Sequence, residues 1–489
     1  MTTDSSTPLA AARDASVRLG AAWLNGGTIQ QAFKRYRYRS PAVEGLELEA
    51  ANLRPDDALA AAAAAGAAQT EWGATPAMRR AALVRELAAQ IEAGRELFAQ
   101  SIVLESGKTI AHARGEVDFA LKVIDTMLGS IAEIGSRARE DYMTGRRVVT
   151  MLRPVGPSLL ITPWNFPLNL GTRKLVTALL AGCTVVWKPS DRASLTAMLV
   201  AEASTRVCFP AGVISVIPTS DSIAVVDALM RSGTMRKLSF TGSTATGKAL
   251  MAQASEQLMR TSLELGGNGP AIVAPSADVD AVADAVVRAK FASNGQVCTT
   301  INRLYVHRSM EQQLIEALGT RMSSMVVGWP ADDSTDLGPV ISDDAAKRLT
   351  QLVDEAAAAG ATVTRFAADP PTVGAFIRPT IVAGVTTADR VCQEELFGPV
   401  LPVIAYDDLD DAIAQANSTP YGLSSYVFGD DAGELERMLA GVRSGLVAVN
   451  GPSPSSVSTP FGGIGWSGVG RENGVRGLAE FQDEISYVY

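Results

Sequence analysis

The chain of 489 residues is 47% hydrophobic and 19% charged, with a net charge of -9 at pH 7. This composition is typical of a globular protein of roughly two to four domains, and its acidity argues against a nucleic-acid or anionic-membrane partner. With 2 histidines and 4 scattered cysteines, a metal site, a Ser-His-Asp triad and a disulfide framework are disfavoured.

The N-terminal region and the cysteines indicate where the protein resides. Residues 1–20 lack the basic-then-apolar pattern of a signal peptide. The longest low-complexity stretch, residues 59–68, is alanine-rich and too short to cross a bilayer, so it is predicted to form a helix. Because unpaired cysteines suit a reducing compartment, we expect a cytoplasmic protein.

In chain order, the first predicted elements are helices. Between residues 55 and 140, apolar residues recur every three or four positions among good helix formers, which predicts helices throughout. Residues 146–153 switch to β-branched side chains and predict a strand. Apolar segments then alternate with helical stretches and predict a parallel sheet, with strands at residues 158–162, 184–188, 213–217 and 237–241.

A second alternating region begins near residue 264 and predicts a second α/β domain. A helix is expected over residues 278–292, and strands over residues 270–274, 303–307, 400–404, 424–428 and 445–450. Residues 484–489 alternate and predict a final strand. This strand and the one at 146–153 belong to neither sheet, and exposed strand edges of this kind often form subunit interfaces.

Two motifs follow strands of the first sheet. In PWNFP (residues 163–167) two prolines fix the backbone and hold the amide of Asn165 between aromatic rings, which suits an oxyanion donor; a rigid aromatic turn is the alternative. In TVVWKPSD (residues 184–191) Lys188 and Asp191 end a strand where a dinucleotide could dock, although a solvated charge pair is equally compatible.

Three further motifs could carry chemistry. FTGSTATG (residues 240–247) departs from GxGxxG at Thr244, but its glycines and hydroxyls would suit a pyrophosphate at a helix N-terminus. LELGGN (residues 263–268) contributes a carboxylate and GQVC (residues 295–298) a thiol. Taken singly, that carboxylate would cap a helix or end a strand, and that thiol would be a small buried apolar group.

Together with EELFGPV (residues 394–400) and PFGGIGWSGVGRENG (residues 460–474), these motifs resemble the ordered signature set of the aldehyde dehydrogenase superfamily. The resemblance extends from about residue 55 to the C-terminus. It implies an α/β fold with a Rossmann-like cofactor domain, an α/β catalytic domain and a small β oligomerisation arm. The implied boundaries are residues 1–135 and 155–258 for the NAD(P)-binding domain, 259–450 for the catalytic domain, 136–154 and 477–489 for the arm, and 451–476 for a return segment.

The resemblance also implies the role of individual residues. The implied catalytic residues are the nucleophile Cys298, the general base Glu264, the oxyanion donor Asn165 and a proton-relay pair, Lys174 and Glu472. The implied cofactor contacts are Trp164, Lys188, Asp191, Gly242, Ser243, Gly247, Glu395 and Phe397. The expected reaction is oxidation of an aldehyde to a carboxylic acid through a thiohemiacetal and a thioester on Cys298, with no metal ion.

The partners implied are a nucleotide, a small aldehyde and further copies of the chain, as a homodimer or homotetramer. The expected cofactor is NAD, because the carboxylate of Asp191 suits free ribose hydroxyls and repels a 2′-phosphate. NADP stays possible because the neighbouring Arg192 could attract that phosphate.

Several strings are most similar to the succinate-semialdehyde dehydrogenase branch. Arg173, shortly after PWNFP, would contact the distal carboxylate of a semialdehyde, and Ser455 would line the same pocket. The sequence departs from the branch at Ala292, where a second arginine is usual, and at Gly465, where a lysine is common. A structural Arg173, an aldehyde dehydrogenase for aromatic or aliphatic aldehydes, and a non-catalytic relative are the alternatives.

Overall fold

The computed structural model describes residues 9–133 and 135–489. Residues 1–8, part of the segment without a signal pattern, and Ile134 lie outside the described residues. The first elements are α1 (Ala10–Leu19), β1 (Ala22–Asn25), β2 (Thr28–Gln31), β3 (Arg35–Arg39), β4 (Glu47–Ala51), α2 (Pro55–Ala74), α3 (Ala77–Ala93), α4 (Arg95–Ser106) and α5 (Ile110–Ser130). The strands among them were not predicted, because they are short and lie in a charged, partly exposed segment.

An alternating β/α stretch follows and forms most of the first sheet. Its elements are β5 (Arg137–Glu140), β6 (Arg147–Pro154), β7 (Ser158–Ile161), α6 (Pro167–Ala181), β8 (Val185–Lys188), α7 (Ser194–Thr205), β9 (Ile214–Val216), α8 (Ser222–Arg231), β10 (Lys237–Thr241), α9 (Thr244–Ser255) and β11 (Arg260–Glu264). The prediction of helices up to residue 140 was wrong at its end, because residues 137–140 form a strand. Strand β5 consists of four exposed residues, so no apolar period marks it, and pairing with β6 forms it.

The second half of the chain forms the second sheet. Its elements are β12 (Gly269–Val273), α10 (Val279–Phe291), β13 (Ile301–His307), α11 (Glu311–Ser323), α12 (Asp343–Ala358), β14 (Thr362–Arg365), β15 (Thr380–Ala383), α13 (Arg390–Gln393), β16 (Val400–Tyr406), α14 (Leu409–Ala416), β17 (Ser424–Phe428), α15 (Ala432–Gly441) and β18 (Leu446–Val449). The chain ends with β19 (Gly468–Val469), α16 (Gly474–Ala479) and β20 (Gln482–Val488).

The first sheet has eight strands in the order β2-β1-β9-β8-β7-β10-β11-β19. Strands β9, β8, β7, β10 and β11 run parallel, and helices connect them in sequence. The strand order therefore reverses between β7 and β10. In open α/β sheets ligands bind in the crevice outside the carboxyl ends of the strands at such a switch point, so this edge is the expected position of a ligand site.

The second sheet has seven strands in the order β14-β15-β16-β13-β12-β17-β18. Apart from the antiparallel pair β14–β15, its strands are parallel. The predicted strands of this region are all present within a few residues. The loop between α10 and β13, at the carboxyl end of α10, contains GQVC.

The two leftover strands pair with each other in a separate sheet. Strand β20 runs antiparallel to β6, with seven residues of each strand in register, and β5 pairs with the other edge of β6. None of the helices in residues 9–133 and 135–489 combines the length and apolar character that a membrane crossing requires.

Candidate active site

Four of the motifs converge because each lies at the carboxyl end of a parallel strand of the first sheet, along the edge that contains the switch point. PWNFP follows β7, Lys188 ends β8 and FTGSTATG follows β10. Glu264 is the last residue of β11, beside β10. The loop of residues 292–300, which we call the cysteine loop, connects α10 with β13 of the second sheet and closes the same crevice. Both halves of the chain therefore contribute to the site.

Asn165 joins the first sheet to the cysteine loop. Its side chain is buried, and Nδ2 donates to the backbone carbonyl of Gln296 at 3.0 Å. Gln296 stands two residues before Cys298, so this bond brings the predicted oxyanion donor to the predicted nucleophile. The amide is held by a protein partner, as a preorganised donor requires.

The cysteine loop has an unusual backbone that a single side chain stabilises. Ser293 and Asn294 both have a positive φ, of 50° and 60°, which non-glycine residues adopt rarely. Asn294 donates to the carbonyls of Gly107 and Pro339, each at 2.9 Å, and accepts from the backbone N–H of Gly338 at 2.8 Å. The loop therefore has an anchor outside both sheets.

The glycine pair after Glu264 allows three loops to meet. A Cβ on Gly266 would lie 2.6 Å from Oε2 of Glu395, and one on Gly267 would lie 2.5 Å from the carbonyl oxygen of Cys298. Neither side chain could be accommodated without moving its neighbour. The motif LELGGN thus packs against both GQVC and EELFGPV.

Cys298 is half-buried, and its thiol is not activated at rest. Burial raises its pKa to about 12, the negative charges of Glu395 and Glu264 add to this effect, and Arg173 opposes it. At neutral pH the thiol therefore holds its proton. A proton acceptor must take it before the sulfur can act as a nucleophile.

Glu264 lies close enough to influence that thiol and is itself fully buried. Neither of its carboxylate oxygens has a hydrogen-bond partner among the residues described. Burial raises its pKa well above the usual range, Glu472 adds to the effect, and Lys174 and Arg173 oppose it. A carboxyl group with a raised pKa can take up a proton near neutral pH, as a general base must.

The predicted relay pair, Lys174 and Glu472, is brought together although 298 positions separate the two residues. The ammonium of Lys174 donates to Glu472 and also to Oγ of Ser239, at 3.0 Å. Although burial opposes it, Lys174 and Arg173 hold the pKa of Glu472 below its usual range. A buried row of two acids and two cations therefore connects Glu264, at the end of β11, with Arg173 and Lys174 of α6.

Arg173, the predicted carboxylate contact, is a member of this row. Its side chain is 3% exposed, Nη1 lies 3.6 Å from Oε2 of Glu472, and the guanidinium carbon lies 5.0 Å from the centroid of the Phe461 ring. Within the described part of the chain, Nε and Nη1 have no hydrogen-bond partner. Arg173 thus has an internal charge partner and unsatisfied donors at the same time.

Ser455, the second predicted substrate contact, lies in the serine-rich loop between β18 and β19. It is half-buried. The hydrogen bonds formed by its backbone are local, since Ser453 Oγ accepts from its N–H at 3.3 Å and donates to its carbonyl at 2.9 Å. These contacts do not join it to Arg173, so its place in the pocket stays a prediction.

Lys188 and Asp191 stand at the end of β8 as expected, in different environments. Lys188 is buried, which lowers its pKa to about 8, while the charge of Asp191 opposes the shift. Asp191 is exposed, with Ser190 Oγ donating to it at 3.3 Å. A carboxylate open to solvent beside a buried ammonium suits ribose hydroxyls.

The N-terminus of α9 carries the predicted pyrophosphate contacts. Ser243 is the exposed N-cap, and its Oγ accepts from the N–H of Thr246 at 3.2 Å. Gly242 and Gly247 have a packing reason instead of an evident ligand, because a Cβ on Gly242 would lie 2.5 Å from the ring of Phe240 and one on Gly247 would lie 2.3 Å from Leu265. The helix end itself fits an anionic phosphate.

The remaining predicted cofactor contacts are Glu395, Phe397 and Trp164. The rings of Trp164 and Phe397 meet edge to face, with centroids 5.6 Å apart. Glu395 Oε1 accepts from the N–H of Gly267 at 3.0 Å, and burial raises the pKa of Glu395 to about 7. Phe397 has a φ of 56°, so its loop is held in a rare conformation.

Two arginines that hold the site were not predicted. Arg348 donates to the carbonyls of Glu395, at 3.3 Å, and Leu396, so it fixes the loop that carries Glu395. Arg471 donates to the carbonyls of Gly463 and Gly470, at 2.9 and 2.7 Å. Arg471 stands inside the motif PFGGIGWSGVGRENG and could have been found there, whereas no motif marks Arg348.

Comparison with known proteins identifies the family. Residues 29–485 match the aldehyde dehydrogenase family. The chain is 38% identical to the succinate-semialdehyde dehydrogenase of Paenarthrobacter nicotinovorans over 435 residues, which cover 88% of this chain and 96% of that protein. It is 36% identical to the NADP+-dependent succinate-semialdehyde dehydrogenase of Escherichia coli over 437 residues, 88% of this chain and 89% of that one.

A solved structure agrees with this result. The betaine aldehyde dehydrogenase of Staphylococcus aureus in complex with NAD+ is 30% identical and superposes with a TM-score of 0.92 over 97% of this chain and 95% of that one. The predicted α/β fold and the resemblance are therefore confirmed. The chain belongs to the aldehyde dehydrogenase family and is an NAD(P)-dependent oxidoreductase that acts on small aldehydes.

Proposed function

We propose that the protein oxidises an aldehyde to a carboxylic acid through a covalent intermediate on Cys298. The convergence of Cys298, Asn165 and Glu264 at the switch point of the first sheet carries this proposal. The three groups supply a nucleophile, an oxyanion donor and a base, which are the requirements of acyl transfer through a thioester.

In the first half of the reaction the deprotonated Sγ of Cys298 forms a bond to the carbonyl carbon. The carbonyl oxygen becomes an alkoxide, and Nδ2 of Asn165 with the backbone N–H of Cys298 would stabilise it. NAD(P)+, held by the cofactor contacts described below, would supply the acceptor for a hydride from this carbon. Loss of that hydride with its two electrons converts the thiohemiacetal on Cys298 to a thioester.

In the second half Glu264 takes a proton from water as the water attacks the thioester. The C–S bond breaks, the sulfur keeps the electron pair, and the carboxylate leaves. The balance is one aldehyde, one NAD(P)+ and one water giving one carboxylate, one NAD(P)H and two protons. Glu472 and Lys174, joined by a hydrogen bond beside Glu264, would carry its proton away.

The residues of the cleft fit NAD(P)+ without a metal ion. Ser243 at the N-terminus of α9 would face the pyrophosphate, Lys188 and Asp191 the adenosine ribose, and Glu395 the nicotinamide ribose. Phe397 and Trp164 would bound the ring. Two observations support this fit. The N-terminus of α9 is exposed, and a Cβ on Gly266 would collide with the carboxylate of Glu395.

We propose a semialdehyde with a distal carboxylate, such as succinate semialdehyde, as the substrate. The names of two similar proteins support this class. Arg173 supports it because its Nε and Nη1 have no hydrogen-bond partner among the described residues and could donate to a substrate carboxylate. A panel of succinate semialdehyde, butanal and benzaldehyde with both nucleotides tests the proposal, and preference for an uncharged aldehyde would assign the protein to another substrate class.

The substrate class predicts the effect of Arg173→Leu. Removing a buried partner of a carboxylate typically costs about 2–5 kcal/mol, so kcat/KM for succinate semialdehyde should fall strongly. Because Arg173 also faces Glu472 at 3.6 Å, a smaller loss with butanal is expected as well. The test is therefore whether kcat/KM, measured by steady-state kinetics, falls more for succinate semialdehyde than for butanal.

Arg173→Lys is the matched control, because it keeps a positive charge beside Glu472 but loses the bidentate geometry. It should restore butanal oxidation more fully than succinate semialdehyde oxidation. Equal losses for both aldehydes in Arg173→Leu would return Arg173 to a structural role.

We propose that NAD is preferred over NADP, on the charge of Asp191. Changing Asp191→Ser should raise the ratio of kcat/KM for NADP to that for NAD by about tenfold, because about 1.4 kcal/mol of repulsion is removed. Parallel kinetics with Arg192→Ser complete the test, since loss of NADP use in that variant would show that Arg192 binds the phosphate. A wild-type enzyme that already prefers NADP would contradict the role given to Asp191.

We also propose the domain division and the assembly. The NAD(P)-binding domain would comprise residues 1–135 and 155–258, the catalytic domain residues 259–450, the oligomerisation arm residues 136–154 and 477–489, and the return segment residues 451–476. Strands β11 and β19 would complete the sheet of the NAD(P)-binding domain from outside these bounds. The free edges of the three-stranded sheet of β5, β6 and β20 support a homodimer or homotetramer. Analytical ultracentrifugation distinguishes these states from a monomer. The scattered cysteines support residence in the cytoplasm.

A further inference from the structure

A buried ion pair lies behind the turn that carries Asn165. Nζ of Lys108 lies 2.5 Å from Oε2 of Glu116, and the two side chains are 2% and 0% exposed. Lys108 comes from the loop between α4 and α5, and Glu116 from α5. Burying such a pair has a large desolvation cost, so the fold keeps it against an energetic penalty.

Both members of the pair bind the turn that presents Asn165. Nζ of Lys108 donates to the backbone carbonyl of Asn165 at 2.9 Å and lies 3.6 Å from the centroid of the Phe166 ring. Oε1 of Glu116 accepts from the first free N–H groups of α6, those of Leu168 and Asn169, both at 3.1 Å. The pair therefore fixes the turn on each side of Asn165.

The same loop also binds the cysteine loop. Gly107, next to Lys108, accepts through its carbonyl from Nδ2 of Asn294 at 2.9 Å. A Cβ on Gly107 would lie 2.8 Å from the carbonyl of Pro339, so the backbones cross in close contact there. Two adjacent residues thus hold the loop of the oxyanion donor and the loop of the nucleophile.

We propose that Lys108, oriented by Glu116, is a positioning residue that sets where the Asn165 amide stands relative to Cys298. This inference rests on the proposed role of Asn165 as oxyanion donor. Oxyanion stabilisation depends on a donor within hydrogen-bond distance of the oxygen as charge develops, and a displacement of about 1 Å can cost roughly 100-fold in rate. Lys108 itself acts through the backbone of Asn165.

A double-mutant cycle between K108M and N165A tests the inference. N165A alone should lower kcat by about 10²–10³-fold. K108M alone should lower kcat by about 10–100-fold, with little change in KM for the nucleotide. In the N165A background K108M should have almost no further effect on kcat, because the donor it positions is already gone.

K237M is the matched control for general damage. Lys237 is also fully buried, is ion-paired with Glu480 at 3.3 Å and lies 5.3 Å from the Phe481 ring, but it contacts neither loop. It should lower the melting temperature as K108M does and keep kcat within about twofold of wild type. If K108M and N165A losses multiply, or if K237M and K108M lower kcat equally, Lys108 is only a structural residue.

If K108M does not fold, the double variant K108M/E116Q replaces it. This variant leaves no unpaired buried carboxylate, and the amide oxygen of the new glutamine side chain can still accept from the N–H groups of α6. The same cycle with N165A then applies and has the same two outcomes. Failure of the proposed function is distinguishable, since wild-type protein would then oxidise no aldehyde. An active wild type with multiplying losses would overturn the positioning role alone.

Discussion

Replacing Cys298 with alanine is expected to abolish aldehyde oxidation while nucleotide binding persists. The sulfur is the only protein atom proposed to bond to the substrate, whereas the proposed nucleotide contacts lie in PWNFP, at the end of β8, at the N-terminus of α9 and in the loop of Glu395. NAD(P)H production at saturating aldehyde measures the loss, and nucleotide titration by calorimetry measures binding. Residual turnover should be indistinguishable from the enzyme-free reaction.

Cys208→Ala is the control for the Cys298 substitution. Cys208 is exposed, follows α7 and is free. This variant should keep full activity, and alkylation of its remaining thiols should inactivate it as completely as it inactivates the wild type. Normal turnover in Cys298→Ala would place the nucleophile at another residue and remove the thioester from the reaction.

The Glu264→Gln substitution separates the two halves of the reaction. Hydride transfer needs the sulfur of Cys298 and the amide of Asn165, whereas hydrolysis of the thioester needs a base. If Glu264 serves mainly hydrolysis, the variant should release a burst of NADH near one per active site. Steady turnover should then fall by about 10²–10⁴, the usual contribution of general-base catalysis. Stopped-flow measurements record the burst, and mass spectrometry should find the acyl group on Cys298.

The pH dependence of thiol alkylation shows whether Glu264 also acts before hydride transfer. The charge of Glu264 contributes to the raised pKa of Cys298, so removing that charge should move thiol alkylation to lower pH. If Glu264 instead accepts the thiol proton, alkylation in the variant should slow and the burst should disappear. Unimpaired steady turnover would remove Glu264 from the mechanism.

Two kinds of feature were predictable from the sequence. Strands such as β7, β8, β12, β16 and β17 have continuous apolar runs bounded by turn residues, so their positions follow from local pattern, whereas the largely exposed β14 has no such run. Because parallel strands end at one edge of a sheet, the motifs that follow β7, β8 and β10 lie along the same edge. The structure places Asn165 and Glu264 at this edge and adds Cys298 from the loop between α10 and β13.

Strand β5 and the N-terminal strands could not be predicted in the same way. Strand β5 has no apolar period and owes its form to pairing with β6. The chain alone indicated that the strands later found as β6 and β20 belong to neither sheet. Their pairing across more than 300 residues depends on how the whole chain folds.

By itself, the sequence determined the fold class and the family, and it supplied the reactive groups that are proposed here, because these depend on local periodicity and ordered motifs. Only the tertiary structure decided which charges surround them. It gave Arg173 an internal partner in Glu472 and set the Lys108–Glu116 pair behind Asn165. Such contacts join residues far apart in the chain, and burial decides their protonation, so no local pattern encodes them.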